Sequence, residues 1–103
     1  MSLDQLQPWL VPWAKWLYRY AAAYGCQITS VRRSYSEQRR LYADYLAGRS
    51  KYPAAPPGRS MHEAGRAWDM VGRPEILAWL GAGWESVGGT WGGRFGDQIH
   101  FEA

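Results

Sequence analysis

SMHEAGRAWDM, residues 60–70, joins a proline-rich segment to a predicted strand and carries one of the two histidines of the chain. It begins like the HExxH helix of zinc proteases, which needs a second histidine four residues after the first so that both imidazoles share one helical face. Arg66 occupies that position here, and an arginine does not bind a metal. His62 must therefore serve a different arrangement.

An amphipathic helix is predicted before this segment, because large apolar residues recur at spacings of three and four and Gly25 follows them. The residues of this stripe are Trp9, Trp13, Trp16, Leu17, Tyr20 and Tyr24. We interpret their side chains as part of the hydrophobic core rather than as a cofactor-binding surface.

The remaining elements are two helices and three strands. Strands are expected over 26–31, 67–71 and 98–102, and helices over 36–47 and 74–80. Ser34 and Glu37 have the spacing of a capping box at the start of the second helix, and Pro74 suits the first turn of the third. Prolines and a glycine make 48–61 a loop. This order of elements predicts an α+β fold.

Composition indicates one globular domain over residues 1–103, since 47% of the residues are hydrophobic and 16% are aromatic. The formal charge of +3 slightly favours an anionic partner such as nucleic acid or a bacterial wall polymer. The basic residues form no stripe, however, and an ordinary solvated surface explains them as well. A small basic nucleic-acid binder is therefore the weakest alternative, and we expect no nucleic-acid partner.

Cys26 is the only cysteine, which excludes an internal disulfide and a cysteine-based metal site. We expect it to be a small buried thiol. No segment approaches the roughly 18 apolar residues of a membrane span, and charged residues and prolines interrupt any signal-peptide core near the N-terminus. The sequence thus predicts a monomer made in the cytoplasm without an export signal.

Four residues form a candidate metal site. Asp69 follows His62 by seven positions, and Asp97 precedes His100 by three. Two imidazoles and a carboxylate are a natural ligand set for catalytic Zn²⁺, which keeps three protein ligands and leaves the fourth position to water. A loop-borne His62 and a strand-borne Asp69 can meet at one ion, with His100 on a neighbouring strand. Spacing alone leaves open that each histidine is an ordinary surface or core residue.

Several motifs also occur in one order along residues 28–102. They are Thr29-Ser30-Val31, Arg33-Ser34, Gln38, Ser60-x-His62-x-x-Gly65-x-Ala67-x-Asp69, Trp91-Gly92-Gly93 and Asp97-x-x-His100-Phe101. In this they closely resemble the zinc-dependent peptidoglycan peptidases, which include D-alanyl-D-alanine carboxypeptidases and the L-alanyl-D-glutamate endopeptidases of phage endolysins. The resemblance implies the hedgehog/DD-peptidase fold, with a small antiparallel sheet flanked by about three helices.

The resemblance also implies roles for individual residues. His62, Asp69 and His100 would bind Zn²⁺, and Asp97 would be the catalytic acid and base. Arg33 would steady the substrate or the developing oxyanion. Zinc lowers the pKa of its bound water towards about 7, and Asp97 would take the proton of that water and deliver it to the leaving amine.

For other residues of the motifs, the resemblance implies supporting roles. Ser60 would hold the loop of the first histidine, and Glu102 would orient the imidazole of the second. Gln38 would contact substrate or brace the second helix. For each of these, a purely structural role is an equal alternative. Glu63 is interpreted as a plain loop residue, and Trp91 as either a wall beside a ligand or a buried residue of a turn.

Together these patterns predict a zinc metallopeptidase of peptidoglycan stem peptides, with an L-alanyl-D-glutamate endopeptidase acting at the bacterial cell wall as the preferred specificity. A D-alanyl-D-alanine carboxypeptidase is the nearest alternative. The alternative outside enzymes is a non-catalytic, zinc-stabilised binding module. Asp97 favours catalysis, because a purely structural zinc prefers four protein ligands and no free base.

Overall fold

The computed structural model describes residues 2–103, which form three α-helices and a four-stranded antiparallel sheet. The helices are α1 (Val11–Ala23), α2 (Tyr35–Leu46) and α3 (Pro74–Ser86), and the strands are β1 (Gln27–Ser30), β2 (Ala67–Val71), β3 (Thr90–Trp91) and β4 (His100–Glu102). Two 3-10 helices lie at Leu3–Gln5 and Gly92–Phe95. The predicted α+β class, with an antiparallel sheet and three helices, is confirmed.

The sheet has the strand order β1-β2-β4-β3, and its two middle strands give it two chemically different faces. Trp68 of β2 pairs with Phe101 of β4, and Asp69 pairs with His100. Because successive strand residues point to opposite faces, the two aromatic residues share one face and the two polar residues share the other. One face therefore belongs to the core and the other to the candidate site.

The core face is covered by α1 and α3, which contact each other. The ring of Trp68 stacks on Phe101 at a centroid distance of 5.8 Å and meets Trp84 of α3 edge-on at 5.1 Å. The Trp84 indole N–H donates to the Glu102 carbonyl oxygen at 2.8 Å. Burial of each large aromatic side chain stabilises the fold by about 1.5–3 kcal/mol. These contacts fix β2 and β4, and so position the residues on their opposite face.

The prediction that the aromatic stripe of α1 forms the core is wrong for most of its members. The exposed fractions of four side chains are Trp9 54%, Trp13 51%, Tyr20 48% and Tyr24 55%, whereas Trp16 is half-buried and Leu17 is buried. The buried stripe is instead Leu10, Ala14, Leu17 and Ala21. The two stripes differ by a rotation of one residue around the helix. Small alanines on the inner stripe let α1 pack closely, and they leave the larger rings outside.

Helix α3 is longer than predicted, because it continues through Gly81 to Ser86. A Cβ atom at Gly81 would lie 2.2 Å from Cδ2 of Trp91, so the glycine makes room for this ring and does not end the helix. Trp91 is buried, and its indole N–H donates to the Gln98 carbonyl oxygen at 2.9 Å. It is thus a buried residue at the end of β3, immediately before the second 3-10 helix. The predicted last strand is shorter, and β3 was not anticipated.

Two smaller expectations are confirmed. Cys26 is buried, and burial raises the pKa of its thiol. The capping box of α2 is present, with Ser34 Oγ accepting from the Glu37 amide and Glu37 accepting from the Ser34 amide. Within residues 2–103, no helix is both long enough and apolar enough to cross a membrane.

Candidate active site

Three predicted ligands meet on the polar face of the sheet. His62 comes from the loop before β2, Asp69 from β2 and His100 from β4. Oδ1 of Asp69 lies 3.2 Å from Nε2 of His62 and 3.3 Å from Nδ1 of His100. The three donor atoms all lie within 4.8 Å of one another. Residues that are 38 positions apart in the sequence are thus brought to a single point.

Each imidazole is fixed through its other ring nitrogen. Nδ1 of His62 lies 2.6 Å from the Val31 carbonyl oxygen, which can only accept a hydrogen bond, so Nδ1 carries a proton, and in the neutral tautomer Nε2 has the lone pair. Nε2 of His100 lies 2.7 Å from Oε1 of Glu102. When His100 is neutral, this contact puts its proton on Nε2 and leaves the Nδ1 lone pair directed at Asp69. Contacts of this kind orient metal-binding histidines.

Asp69 is held from its other side by Arg33. The Nη2 group of Arg33 donates to Oδ2 of Asp69 at 2.8 Å, its Nε to Ser30 Oγ at 2.9 Å, and its Nη1 to Gln38 Oε1 at 3.2 Å. Gln38 is fully buried and donates its amide to the Ala55 carbonyl oxygen. Of the two roles considered for Gln38, the observed contacts fit the bracing role, because they tie α2 to the proline-rich loop and to Arg33.

The segment before His62 is held by its own side chains. Ser60 is buried, and its Oγ accepts from the His62 amide at 3.2 Å. Glu63 is more than a plain loop residue, because its carboxylate accepts from the Gly58 amide at 2.9 Å and, at 3.4 Å, from the Ser60 amide. The Ser-x-x-Glu spacing of Ser60 and Glu63 is a capping-box signal, and it could have revealed this contact from the sequence.

Asp97 lies beside the three ligands in a turn that only a glycine permits. A Cβ atom at Gly92 would lie 2.3 Å from the Asp97 carbonyl oxygen and 2.8 Å from Cβ of His100. Asp97 is buried, and its Oδ1 has no hydrogen-bond partner among residues 2–103. Burial first, and repulsion by Asp69 second, raise the pKa of the Asp97 carboxyl. A raised pKa makes an ionised carboxyl group a better proton acceptor.

The pKa values of the ligands are shifted in opposite directions. Burial alone would raise the pKa of Asp69, but hydrogen bonds from His100 and His62 and the charge of Arg33 hold that pKa well below its usual range. Burial also disfavours the charged form of His100, but its hydrogen bonds to Asp69 and Glu102 raise the pKa of His100 to about 9. Without a metal, the centre is therefore an ionised Asp69 carboxylate that accepts hydrogen bonds from the neighbouring imidazoles.

The donor set fits a metal ion of the zinc type. Two imidazole nitrogens and one carboxylate oxygen are borderline donors that such an ion accepts. Each ligand also has a partner behind it, from the Val31 carbonyl oxygen for His62 to the guanidinium of Arg33 for Asp69. Three protein ligands leave one coordination position for water or substrate. The residues can therefore hold a metal at which a reaction takes place.

The centre lies in a cleft of about 720 Å³. One wall is formed by α2 and by the loop that leads to Ser60, and the other includes Phe95, whose ring meets that of His100 edge-on at 6.2 Å. His62, Asp69, Asp97 and His100 all line this cleft. Its volume lies within the range of ligand-binding clefts in proteins.

Three solved structures share this architecture. The LD-carboxypeptidase LdcB matches with a TM-score of 0.70 and 24% identity, over 99% of this chain and 68% of its own. The L,D-carboxypeptidase DacB from Streptococcus pneumoniae matches with a TM-score of 0.65 and 25% identity, over 99% of this chain and 70% of its own. This chain has the hedgehog/DD-peptidase fold. The L-Ala D-Glu endopeptidase ChiX from Serratia marcescens shares that fold. It matches with a TM-score of 0.64 and 24% identity, over 97% of this chain and 81% of its own.

The hedgehog/DD-peptidase fold and the resemblance to peptidoglycan peptidases, both predicted from the motifs, are confirmed by these structures. No family model matches the sequence, and no curated protein matches it either. The roles of Arg33, Ser60, Gln38 and Glu102, and of the three ligands, remain predictions that the observed contacts support.

Proposed function

We propose that this chain is a zinc-dependent peptidase that hydrolyses the stem peptides of peptidoglycan. The observation that carries the proposal is the meeting of three ligand atoms beside a buried carboxyl group, on the floor of an open cleft. The neighbouring structures support the substrate class, because all three are peptidases named for peptidoglycan or for bonds of its peptides.

Nε2 of His62, Oδ1 of Asp69 and Nδ1 of His100 would hold the ion. When bound, such an ion supplies Lewis acidity, which polarises a peptide carbonyl and lowers the pKa of water. The surrounding residues keep the ligands ready for it. Because the pKa of Asp69 is well below its usual range, this ligand is ionised across the physiological pH range. The Val31 carbonyl oxygen keeps His62 in the tautomer that binding requires.

Asp97 would move the proton. Its Oδ1 atom, buried and without a partner among the described residues, would accept a proton from the attacking water and return it to the leaving amine. A base works best when its pKa approaches the working pH, and burial together with Asp69 shifts the pKa of Asp97 upward. The structure gives no other carboxyl group in residues 2–103 this combination of position and environment.

Arg33 would have two tasks. Three of its contacts, to Ser30, Gln38 and Asp69, fix the guanidinium and hold Asp69 in place. A guanidinium has five N–H donors, so two remain after these three contacts. One of them could steady the substrate carbonyl, as the sequence resemblance implied.

The preferred specificity is L-alanyl-D-glutamate endopeptidase, supported by the likeness to ChiX. Carboxypeptidase activity is the second candidate, supported by the likeness to the two LD-carboxypeptidases. We propose that the site of action is the bacterial cell wall, as for a phage-type lytic enzyme. A non-catalytic binding module is disfavoured, because binding alone gives no reason to bury an unpartnered Asp97 beside the ligands.

Purified peptidoglycan, incubated with metal-loaded protein and analysed by mass spectrometry, tests the proposal. New D-glutamate amino termini would identify the endopeptidase, and release of terminal D-alanine would identify a carboxypeptidase. A chelator should abolish either product, and added Zn²⁺ should restore it. Folded, zinc-loaded protein that binds the wall without releasing fragments would instead support the binding module.

A further inference from the structure

Two arginines line the cleft but take no part in the proposed mechanism. Arg40 lies on α2, and Arg59 lies in the loop just before Ser60. Both are exposed. Within the part of the chain that the structure describes, neither side chain forms a hydrogen bond or an ion pair like that of Arg33 with Asp69. No hydrogen bond or close ion pair holds either guanidinium, although the charge of Arg40 acts on Glu37, one helical turn before it.

Apart from Asp97, the other charged groups of the cleft are already engaged. Arg33 is paired with Asp69, and Glu102 with His100. Glu37, which lines the same wall as Arg40, accepts from the Ser34 amide in the capping box. With a divalent ion to balance the carboxylates of the centre, the wall formed by α2 and the loop keeps an excess of positive charge. Such a wall attracts an anionic ligand.

The backbone that carries Arg59 is firmly held. Glu63 accepts from the amides of Gly58 and Ser60 on either side of it, and the Arg59 amide itself donates to the Pro56 carbonyl oxygen at 3.1 Å. Gly58 has a φ of +86°, a conformation that favours glycine. Glu63 uses its carboxylate to bind these amides and does not pair with Arg59. The Arg59 side chain therefore extends into the cleft from a backbone that hydrogen bonds hold in place. Less ordering is then needed when a ligand binds.

We propose that Arg40 and Arg59 bind a carboxylate of the peptide substrate, so that the enzyme prefers peptides in which this group is free over those in which it is amidated. This inference rests on the proposed function. A γ-linked glutamate leaves its α-carboxylate free, and the peptide C-terminus is a second carboxylate. Planar guanidinium groups bind carboxylates through paired, charge-assisted hydrogen bonds, whereas a carboxamide is neutral and offers no such pairing.

The test uses synthetic L-Ala-γ-D-Glu-L-Lys-D-Ala in three forms: with both carboxylates free, with the glutamate α-carboxylate amidated, and with the C-terminus amidated. Arg40→Ala, Arg59→Ala and the double variant are compared with Arg39→Ala. Arg39 is an exposed neighbour on α2 outside the cleft lining, so its variant loses the same charge. Arg40→Lys and Arg59→Lys keep the positive charge but lose the paired N–H donors of the guanidinium group. Melting temperatures show that each zinc-loaded variant is folded.

We expect KM for the free peptide to rise about tenfold in each single variant, the size expected for one charge-assisted hydrogen bond. The recognised carboxylate is the one whose amidation raises KM in the wild type and removes the effect of the variants. Arg39→Ala should change KM less than about twofold, and lysine should restore only part of the loss. Equal losses on all three peptides, or equal losses in Arg39→Ala, would overturn the inference and leave the proposed function intact.

Binding to the zinc-loaded Asp97→Ala variant, measured by calorimetry with the same peptides, separates this inference from the proposed function. If the wild type cleaves none of them but the free peptide binds through the two arginines, hydrolysis is refuted and carboxylate recognition is supported. If the peptides bind equally with and without these arginines, the recognition is overturned. If none of them binds, both proposals fail.

Discussion

Nε2 of His100 lies 2.7 Å from Oε1 of Glu102, two residues further along β4. Alternation along the strand puts both side chains on the same face, so the second residue orients the first. His62 is held through its other nitrogen, by the Val31 carbonyl oxygen. One histidine thus offers Nδ1 and the other offers Nε2, and both point to the same oxygen atom of Asp69.

Glu102→Ala should weaken metal binding by about 10–100-fold, the usual effect of removing a group that orients a ligand. The imidazole of His100 would lose the contact that holds its ring and directs Nδ1 towards Asp69. Competition with a chromophoric chelator measures the affinity. Glu75→Ala is the control, since Glu75 is an exposed residue of α3 paired with Arg73. An unchanged affinity in Glu102→Ala would show that the contact has no such role.

Asp69→Ala should destabilise the metal-free protein by about 3 kcal/mol, because it leaves the largely buried Arg33 without its partner. Urea unfolding in the presence of a chelator measures this change. His100→Ala is the informative comparison, since it removes a ligand and keeps the ion pair. If Asp69→Ala and His100→Ala lose the same small amount of stability, the pair between Arg33 and Asp69 does not support the fold.

The metal-free protein should lose stability as the pH rises towards 9. The pKa of His100 is raised from 6.5 to about 9 in the fold, so its contribution is fully present below pH 6.5 and is lost as the pH rises through 9. Asp69 has a lowered pKa, so its contribution is present above 3.8 and declines as the pH falls further. Urea unfolding from about pH 2 to about pH 10 measures both limbs.

His100→Ala should flatten the alkaline limb of this profile and reduce the acid limb without removing it, because His62 and Arg33 still lower the pKa of Asp69. Zinc must displace the proton of His100, so its affinity should rise with pH up to about 9. Calorimetry in buffers of different ionisation enthalpy would detect at least about one proton released per ion at pH 7, because His100 gives up its proton and bound water can add to the release. Release of no proton would contradict the raised pKa.

Gly92→Ala should impair folding and activity, while Gly83→Ala should not. The Cβ atom added at Gly92 meets the Asp97 backbone at 2.3 Å, whereas one added at Gly83 has nothing within 4 Å. Gly83 lies inside α3, where alanine is favoured by about 0.5–1 kcal/mol. Unfolding free energies and hydrolysis rates of the two variants measure the difference. Similar behaviour of both would show that the turn at Gly92 tolerates a side chain.

The candidate ligands could be predicted because their residue types are rare and chemically informative. Asp69 and His100 lie on strands whose alternation fixes the face of each side chain, so a correct strand assignment already brings them together. The two contacts that hold Asp69 and His62 from behind could not be predicted. Arg33 and Asp69 are 36 residues apart, and the partner of His62 is the carbonyl oxygen of Val31, which any residue type would supply.

The errors in the predicted fold arise where tertiary packing outweighs a local sequence pattern. Helical periodicity predicted α1, but it did not show which of two adjacent stripes is buried. The alanines at 14 and 21 decide this, because they allow close packing. Gly81 looked like the end of a helix, and only the ring of Trp91, ten residues later, explains why a glycine lies inside α3.

Digestion of purified peptidoglycan by wild-type protein and by Asp97→Ala tests the proposed peptidase activity and the role of Asp97. Each protein is loaded with an equal and measured amount of zinc. We predict that the variant keeps its zinc and its fold while fragment release falls by at least about a hundredfold, the scale of a positioned acid and base. Equal fragment release by the two proteins, or none by zinc-loaded wild type, would contradict a peptidase in which Asp97 moves the proton.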